Sequence, residues 1–298
     1  MQGAQTILAQ IKEKLDDLPA VPMVVMHIVR ACDDPMCSAE DLNRIISADA
    51  GLSARILRLS NSAYYGFPKR IGTITHSIVI LGFNTVRNLA MSSAVMEILK
   101  PSADGVDGLS CFSLWEHSLA VAIGSKLAAH HKRFSNNAAE EAFVAGLLHD
   151  LGRLVLFQYF PEEVYRVVSN AKTHERSLME LEQEVFGTMH TDVGRAVSIK
   201  WNFKPALQLV CLNHHRPDSS SPNFEIEALV NAGNWLAHEA QIGNSGDWSP
   251  ARMSMATDEW LNLSAVDKEK MVEDLKAKFV DAREFLNQAS GAASDVAA

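Results

Sequence analysis

Residues 139–156, AEEAFVAGLLHDLGRLVL, set a histidine beside an aspartate at the end of an otherwise apolar helical pattern. No other stretch restricts the fold as much. Glu140 and Glu141 fall in the first turn, where acids favour the helix dipole, and Asn136 or Asn137 can cap the start. Counting back one and two turns puts Ala142 and Ala145 on the face of His149, and Phe143, Gly146 and Leu147 on the face of Asp150. Both polar groups therefore point toward packed, small-residue surface. A carboxylate and an imidazole withdrawn from water need partners. The chain must supply either a hydrogen-bonded helix end or a metal site.

Elsewhere apolar residues recur at intervals of three and four with no sustained alternation, which predicts an all-α chain without a real sheet. With 298 residues and 47% hydrophobic content, the chain can bury a large core. Breakers fall at residues 33–35 and 66–68. The polar run at 101–110 reads as the joint between two helical lobes, an N-terminal one over 1–103 and a second over 110–288. The small, polar residues 289–298 are expected to form a disordered tail. A helix from about Ser264, with Asp267 in capping-box spacing, puts Val272, Leu275, Phe279, Ala282 and Leu286 on one stripe, and it is expected to pack on its own lobe.

The net charge of -9 argues against bulk nucleic-acid binding or coating of anionic lipid. No run approaches the ~20 apolar residues of a membrane span, and the start lacks a leader pattern. A cytoplasmic protein with no membrane partner is expected. Cys32, Cys37, Cys111 and Cys211 lack CxxC spacing and suit reduced thiols.

In the first lobe, LPAVP at residues 18–22 forms a rigid turn into a helix from Met23 to about Cys32. Ser38 with Asp41 reads as a capping box for a helix over 39–47. SADAGLSARILRLSNSAYYG follows, with Ile56, Leu59 and Ala63 on one helix face, then Ile71, Ile74, Ile78 and ILGFNTVRNLA. In this order the motifs resemble the HDOD family, a helical output domain of bacterial signalling proteins related to the HD phosphohydrolases. The resemblance runs from about residue 18 to 237. It implies a two-lobed helical HDOD fold with an HD-like C-terminal lobe, and a function exerted through protein contacts, HD catalysis being generally lost.

Residues 51–96 carry Arg55, Arg58, Lys69, Arg70 and Arg87 with no Asp or Glu. These bases are either solvated faces whose stems cover apolar surface, or a docking face for an acidic signalling partner or a nucleotide phosphate.

The second lobe carries the histidines. His117 shares its face with Ala120, Val121, Gly124 and Ala128. Thr188 begins a helix in which His190 lies with Val193, Gly194, Val197 and Trp201. Pro205 opens PALQLVCLNHH, placing His214 over Leu207, Val210 and Cys211, and His215 one position round. Singly, each suits a hydrogen-bonded core role. Together, five inward histidines and Asp150 on four helices are better satisfied by metal than by separate acceptors.

The resemblance adds an assignment. His117 matches the first histidine of the HD superfamily, His149 and Asp150 the HD pair, and His190, His214 and His215 the further histidines of the HD-GYP branch. Three departures stand out: the last metal-bridging aspartate is matched by Asn234, the basic residue after HD is Arg153 rather than lysine, and His215 is followed by RPDSSS without GYP. With Asp150 as the one anionic ligand, two divalent ions would leave the ligand set at about +3. One ion, or substoichiometric metal, is expected. The histidines suit iron, zinc, nickel or manganese. The expected function is a signal-transduction protein that retains a His-rich metal pocket. The alternative is a metal-dependent phosphohydrolase, with His149, Asp150 and Arg153 as its catalytic candidates and Arg153 as phosphate clamp. A sensor binding haem or a nucleotide in the pocket is the third reading.

Overall fold

Pro19 and Pro22 cannot continue a helix, and the chain turns there between α1 (Gln2–Asp17) and α2 (Met23–Asp33). The structure is a computed structural model that describes residues 2–61, 65, 69–100, 105–106, 108–248 and 252–289. Ser38 Oγ accepts from the Asp41 amide at 3.1 Å while the Asp41 carboxylate accepts from the Ser38 amide at 3.2 Å. That reciprocal box opens α3 (Ala39–Ser47), and losing it would cost about 1 kcal/mol. The Asp49 side chain accepts from the Leu52 amide and starts α4 (Ala50–Ser60).

That helix stops at Ser60, earlier than the sequence pattern suggests. The Asn61 side chain donates to Leu57 O and Ile71 O and accepts from the Ile71 amide, tying the helix end to the segment that leads into the next helix. Ala63 and the breaker at 66–68 lie outside the described residues. Next come α5 (Ile74–Leu81) and α6 (Phe83–Ile98), joined at Gly82, whose φ of 85° favours glycine. The expected polar joint contains a two-residue antiparallel hairpin, β1 (Gly105–Val106) with β2 (Leu109–Ser110). Residues 101–104 and 107 of the joint are outside the described residues, as is the tail at 290–298.

The rest is helical: α7 (Cys111–His131), α8 (Asn136–Leu148), α9 (Leu151–Tyr159), α10 (Pro161–His174), α11 (Leu178–Phe186), α12 (His190–Lys200), α13 (Pro205–Asn213), α14 (Phe224–Ala240), α15 (Met255–Leu261) and α16 (Ala265–Ala289). Ser135 caps α8, accepting from the Ala138 amide, so Asn136 and Asn137 lie inside the helix rather than before it. Met189 stands at the N-cap of α12, so that helix begins two residues later than Thr188.

α7 packs between α8 and α14. A Cβ on Gly124 would lie 2.9 Å from Gly233 Cα, so α7 and α14 meet backbone to backbone. α2 to α6 pack on one another, and α6 meets α8. α16 buries Leu275, Phe279, Ala282 and Leu286 and lies on α7 and α14. α1 rests on α11, and Lys200 Nζ donates to Leu15 O and Asp16 O at its end. No single helix among the described residues is long and apolar enough to cross a membrane. α5 and α6 pass only as a pair bent by 119°.

Candidate metal centre

His149 and Asp150 lie at the end of α8, as the sequence pattern predicts, and a second helix starts directly after them. His149 is the C-cap of α8 and Asp150 the N-cap of α9. The break between the two helices lets both side chains face the same interior, against α7, α12 and α13. Gly152, one residue into α9, makes this possible, because a Cβ there would lie 1.8 Å from His190 O. Only glycine brings α9 and α12 this close.

Five of the six sequence candidates are buried and 3% exposed or less: His117, His149, Asp150, His190 and His214. His215 is half-buried. The donor atoms of His117, His149 and Asp150 lie within 4.8 Å of one another, as do those of His190, His214 and His215. Asp150 joins the two groups: its Oδ2 is 3.4 Å from His149 Nε2, and its Oδ1 is 3.4 Å from His214 Nε2 and 3.6 Å from His190 Nε2.

Backbone acceptors fix the ring protons. His149 Nδ1 donates to Gly146 O at 2.7 Å and His214 Nδ1 to Val210 O at 3.2 Å, leaving a lone pair on each Nε2. His117 Nε2, His149 Nε2, His214 Nε2 and Asp150 Oδ1 are all buried without a hydrogen-bond partner. Four orphaned polar atoms on neighbouring side chains, with the lone pairs of His149 and His214 and a carboxylate oxygen among them, are costly unless a cation takes them. The residues fit a divalent transition ion. The second group closes on itself, since His190 Nδ1 donates to Glu182 Oε2 at 2.7 Å and its Nε2 lies 3.0 Å from His215 Nε2. His215 donates there, so it must shift its proton before it can bind an ion.

Burial pushes His149 down to about 3 and holds His117 and His215 well below the usual imidazole range, so these rings are neutral lone-pair donors near pH 7. Burial opposes ionisation of Asp150, but the Arg153 guanidinium together with His149, His214 and His190 outweighs it and holds the carboxyl well below the usual range. Arg153 is itself buried, with Nε 3.3 Å from Asp150 Oδ2, Nη2 2.9 Å from Asp247 Oδ2, and Nη1 donating to Ser245 O.

The sequence candidates are thus all brought together, and the structure adds Glu182, His238 and Asp247. Glu182 is 4% exposed and accepts from both His190 nitrogens that face it. The His238 ring is 5.1 Å from that of His117. Asn234, on α14, is buried with Oδ1 unpartnered. The bases of residues 51–96 do not form one exposed face. Arg87 is 5% exposed in its side chain and paired with Asp33 at 2.9 Å and Glu141 at 3.7 Å, and Arg55 pairs with Glu97 at 2.9 Å. Arg58, Lys69 and Arg70 are exposed.

A family model for the HDOD domain matches residues 18–217. Among solved structures, an HDOD domain protein with unknown function from Geobacter sulfurreducens is 26% identical, with a TM-score of 0.73, covering 96% of this chain and 98% of that one. The "Putative phosphohydrolase" of Shewanella amazonensis SB2B is 24% identical, with a TM-score of 0.69 over 94% of this chain and 97% of that one, a likeness of fold alone. An uncharacterized protein of Treponema pallidum (strain Nichols) is 25% identical over 232 residues. That is 76% of this chain and 44% of the relative, so the chain spans less than half of that relative's length.

Proposed function

The chain belongs to the HDOD domain family, and from that premise we propose that it is a signalling module acting through protein contacts, with one divalent transition ion buried in its C-terminal lobe. The lobes of this proposal are residues 1–103 and 110–288. The observation that carries it is the set of four orphaned atoms on His117, His149, Asp150 and His214. Charge agrees with a single ion. Asp150, Glu182 and Asp247 contribute three negative charges and Arg153 one positive, and -3 + 1 leaves -2 for the ion to cancel. Neutral imidazoles suit iron, zinc, nickel or manganese over magnesium or calcium.

A bound ion of this kind can act as a Lewis acid or generate hydroxide from water. The chain's own residues are arranged otherwise. Arg153, the candidate phosphate clamp, spends its guanidinium on Asp150, Asp247 and Ser245 O, and a phosphoester would have to displace those partners. Asn234, which the resemblance matches to the last metal-bridging aspartate of the HD superfamily, is a neutral amide and supplies no charge for a second ion. In this reading His149 and Asp150 hold the ion, and Arg153 neutralises part of the carboxylate charge around it.

The test is elemental analysis of protein purified without chelator or nickel affinity resin, paired with a phosphodiester turnover assay. Near one transition ion per chain with no turnover is expected. Two ions surviving dialysis against chelator would overturn the single-ion reading. Turnover abolished by His149→Ala would replace the signalling role with hydrolysis.

A further inference from the structure

The buried centre needs a route by which an ion arrives, and two sides of it approach solvent. On one side stands His215. Its Nε2 is engaged by His190 Nε2 at 3.0 Å and lies 3.4 Å from Arg153 Nη2, so a cation arriving there meets a nitrogen that is already taken. On the other side, beyond His117, lies a cavity of about 170 Å³ walled by His117, His238, Gln241, Asn244, Ser245 and Asp247. Its polar lining is two imidazoles, a carboxylate, a hydroxyl and two amides, and the Arg153 guanidinium stands behind that wall, paired with Asp247 Oδ2 at 2.9 Å and with Ser245 O. Hydrated divalent cations are attracted by such a set, and imidazole with carboxylate exchanges their water ligands.

Of the six candidate ligands, one lines the cavity. His117 lines it, and the same ring holds its Nε2 orphaned toward the buried cluster. The His117 and His238 rings meet edge to face with their centroids 5.1 Å apart, so the two imidazoles are neighbours in the wall. The wall opposite is fixed by backbone. Gly243 has a φ of 69°, an added Cβ would lie 2.1 Å from His117 N, and the Asn244 amide donates to Ser113 O at 3.0 Å. The loop that carries Ser245 and Asp247 is thereby pressed onto α7 at His117.

We infer that this cavity is the port through which a divalent transition cation reaches the buried centre, with His238 and Asp247 taking the ion first and His117 passing it inward. The inference rests on the metal-centre reading above. His238 and Asp247 lie beyond the stretch matched by the family model. They bind in transit, so they govern the rate of loading rather than the final occupancy.

The full chain, stripped with chelator, is mixed rapidly with Co2+, and the growth of visible absorption is followed together with the final Co2+ content. His238→Gln should slow uptake roughly ten-fold with unchanged final content. Gln241 is exposed at the rim. Gln241→Lys should slow uptake and Gln241→Glu should speed it, both effects fading at high salt. These rim variants keep the test decisive if His238→Gln folds poorly. Unaltered rates in all three variants would overturn the port, as would a loss of final Co2+ content in His238→Gln at normal rate. A wild-type chain that takes up no Co2+ would instead refute the metal centre, and the port with it.

Discussion

Glu182 Oε2 lies 2.7 Å from His190 Nδ1 and 3.0 Å from the His190 amide, so one carboxylate oxygen holds both the ring and the first residue of its helix. A carboxylate behind an imidazole fixes the tautomer and makes the opposite nitrogen a stronger ligand. Burial opposes the charge on Glu182, but the contacts with His190 together with the Arg153 guanidinium outweigh it and lower its pKa. Glu182→Gln keeps the shape and removes the charge. Zinc affinity, measured by competition with a chromogenic chelator, should fall about 10–100-fold while the far-ultraviolet spectrum is unchanged. Unchanged affinity would make Glu182 a purely structural cap.

Arg153 and Asp150 are both buried, and removing one leaves the other as an uncompensated charge. Arg153→Met should destabilise the ion-free chain by about 3–5 kcal/mol in urea. An ion beside Asp150 replaces part of the lost positive charge, so saturating Zn2+ should stabilise the variant more than the wild type. Equal stabilisation of the two would place the ion away from Asp150.

Acid sensitivity follows from the lowered imidazoles. His117, His149 and His215 take up protons less readily in the folded chain than the ordinary imidazole value of about 6.5 in the unfolded chain. The unfolded state therefore binds more protons below that value. Stability is complete above it and is lost as pH falls toward the folded value of about 3 for His149. The lowered Asp150 acts in the same direction, further down the scale. The melting temperature of chelator-treated protein should drop steadily between about pH 7 and about pH 5. A flat profile there would mean that the rings are not held neutral.

The parts of this molecule legible in its sequence are those written in local spacing. Ser38 and Asp41 form their box because a cap and its partner lie three residues apart, and Pro205 starts α13 because its missing amide is not needed there. The histidines were recognisable because each lies on an apolar face whose period can be counted. Glu182 was not, because a buried glutamate on α11 looks like any other acid until His190 is seen against it. Arg87 misled for the same reason: a run without acids suggests an exposed basic face, but Asp33 and Glu141 approach from α2 and α8 and let the guanidinium be buried. The helix end at the His-Asp pair was legible as the place where an apolar helical pattern meets two polar groups, but the contact of Gly152 with His190 O that sets α9 against α12 is not written in local spacing. His238 and Asp247 depend on where the loop after α14 lands.

The last prediction concerns Asn234, which is 4% exposed with its Oδ1 buried and unpartnered. An amide oxygen can coordinate a metal, but it is neutral and cannot bridge two cations with equivalent anionic oxygens. Asn234→Asp adds one negative charge to a cluster that already carries -2 with its histidines neutral, which exceeds what one divalent ion cancels. The ion-free variant should therefore be destabilised, because a buried carboxylate without a partner is costly. The loaded variant should recover that stability and hold more metal, approaching two ions per chain in elemental analysis, and His149→Ala should lower occupancy in either background. If Asn234→Asp is destabilised equally with and without Zn2+ and its metal content does not rise, the amide lies outside the reach of the ion. The single-ion arrangement would then be set by the His190–His215 contact rather than by the loss of a carboxylate at position 234.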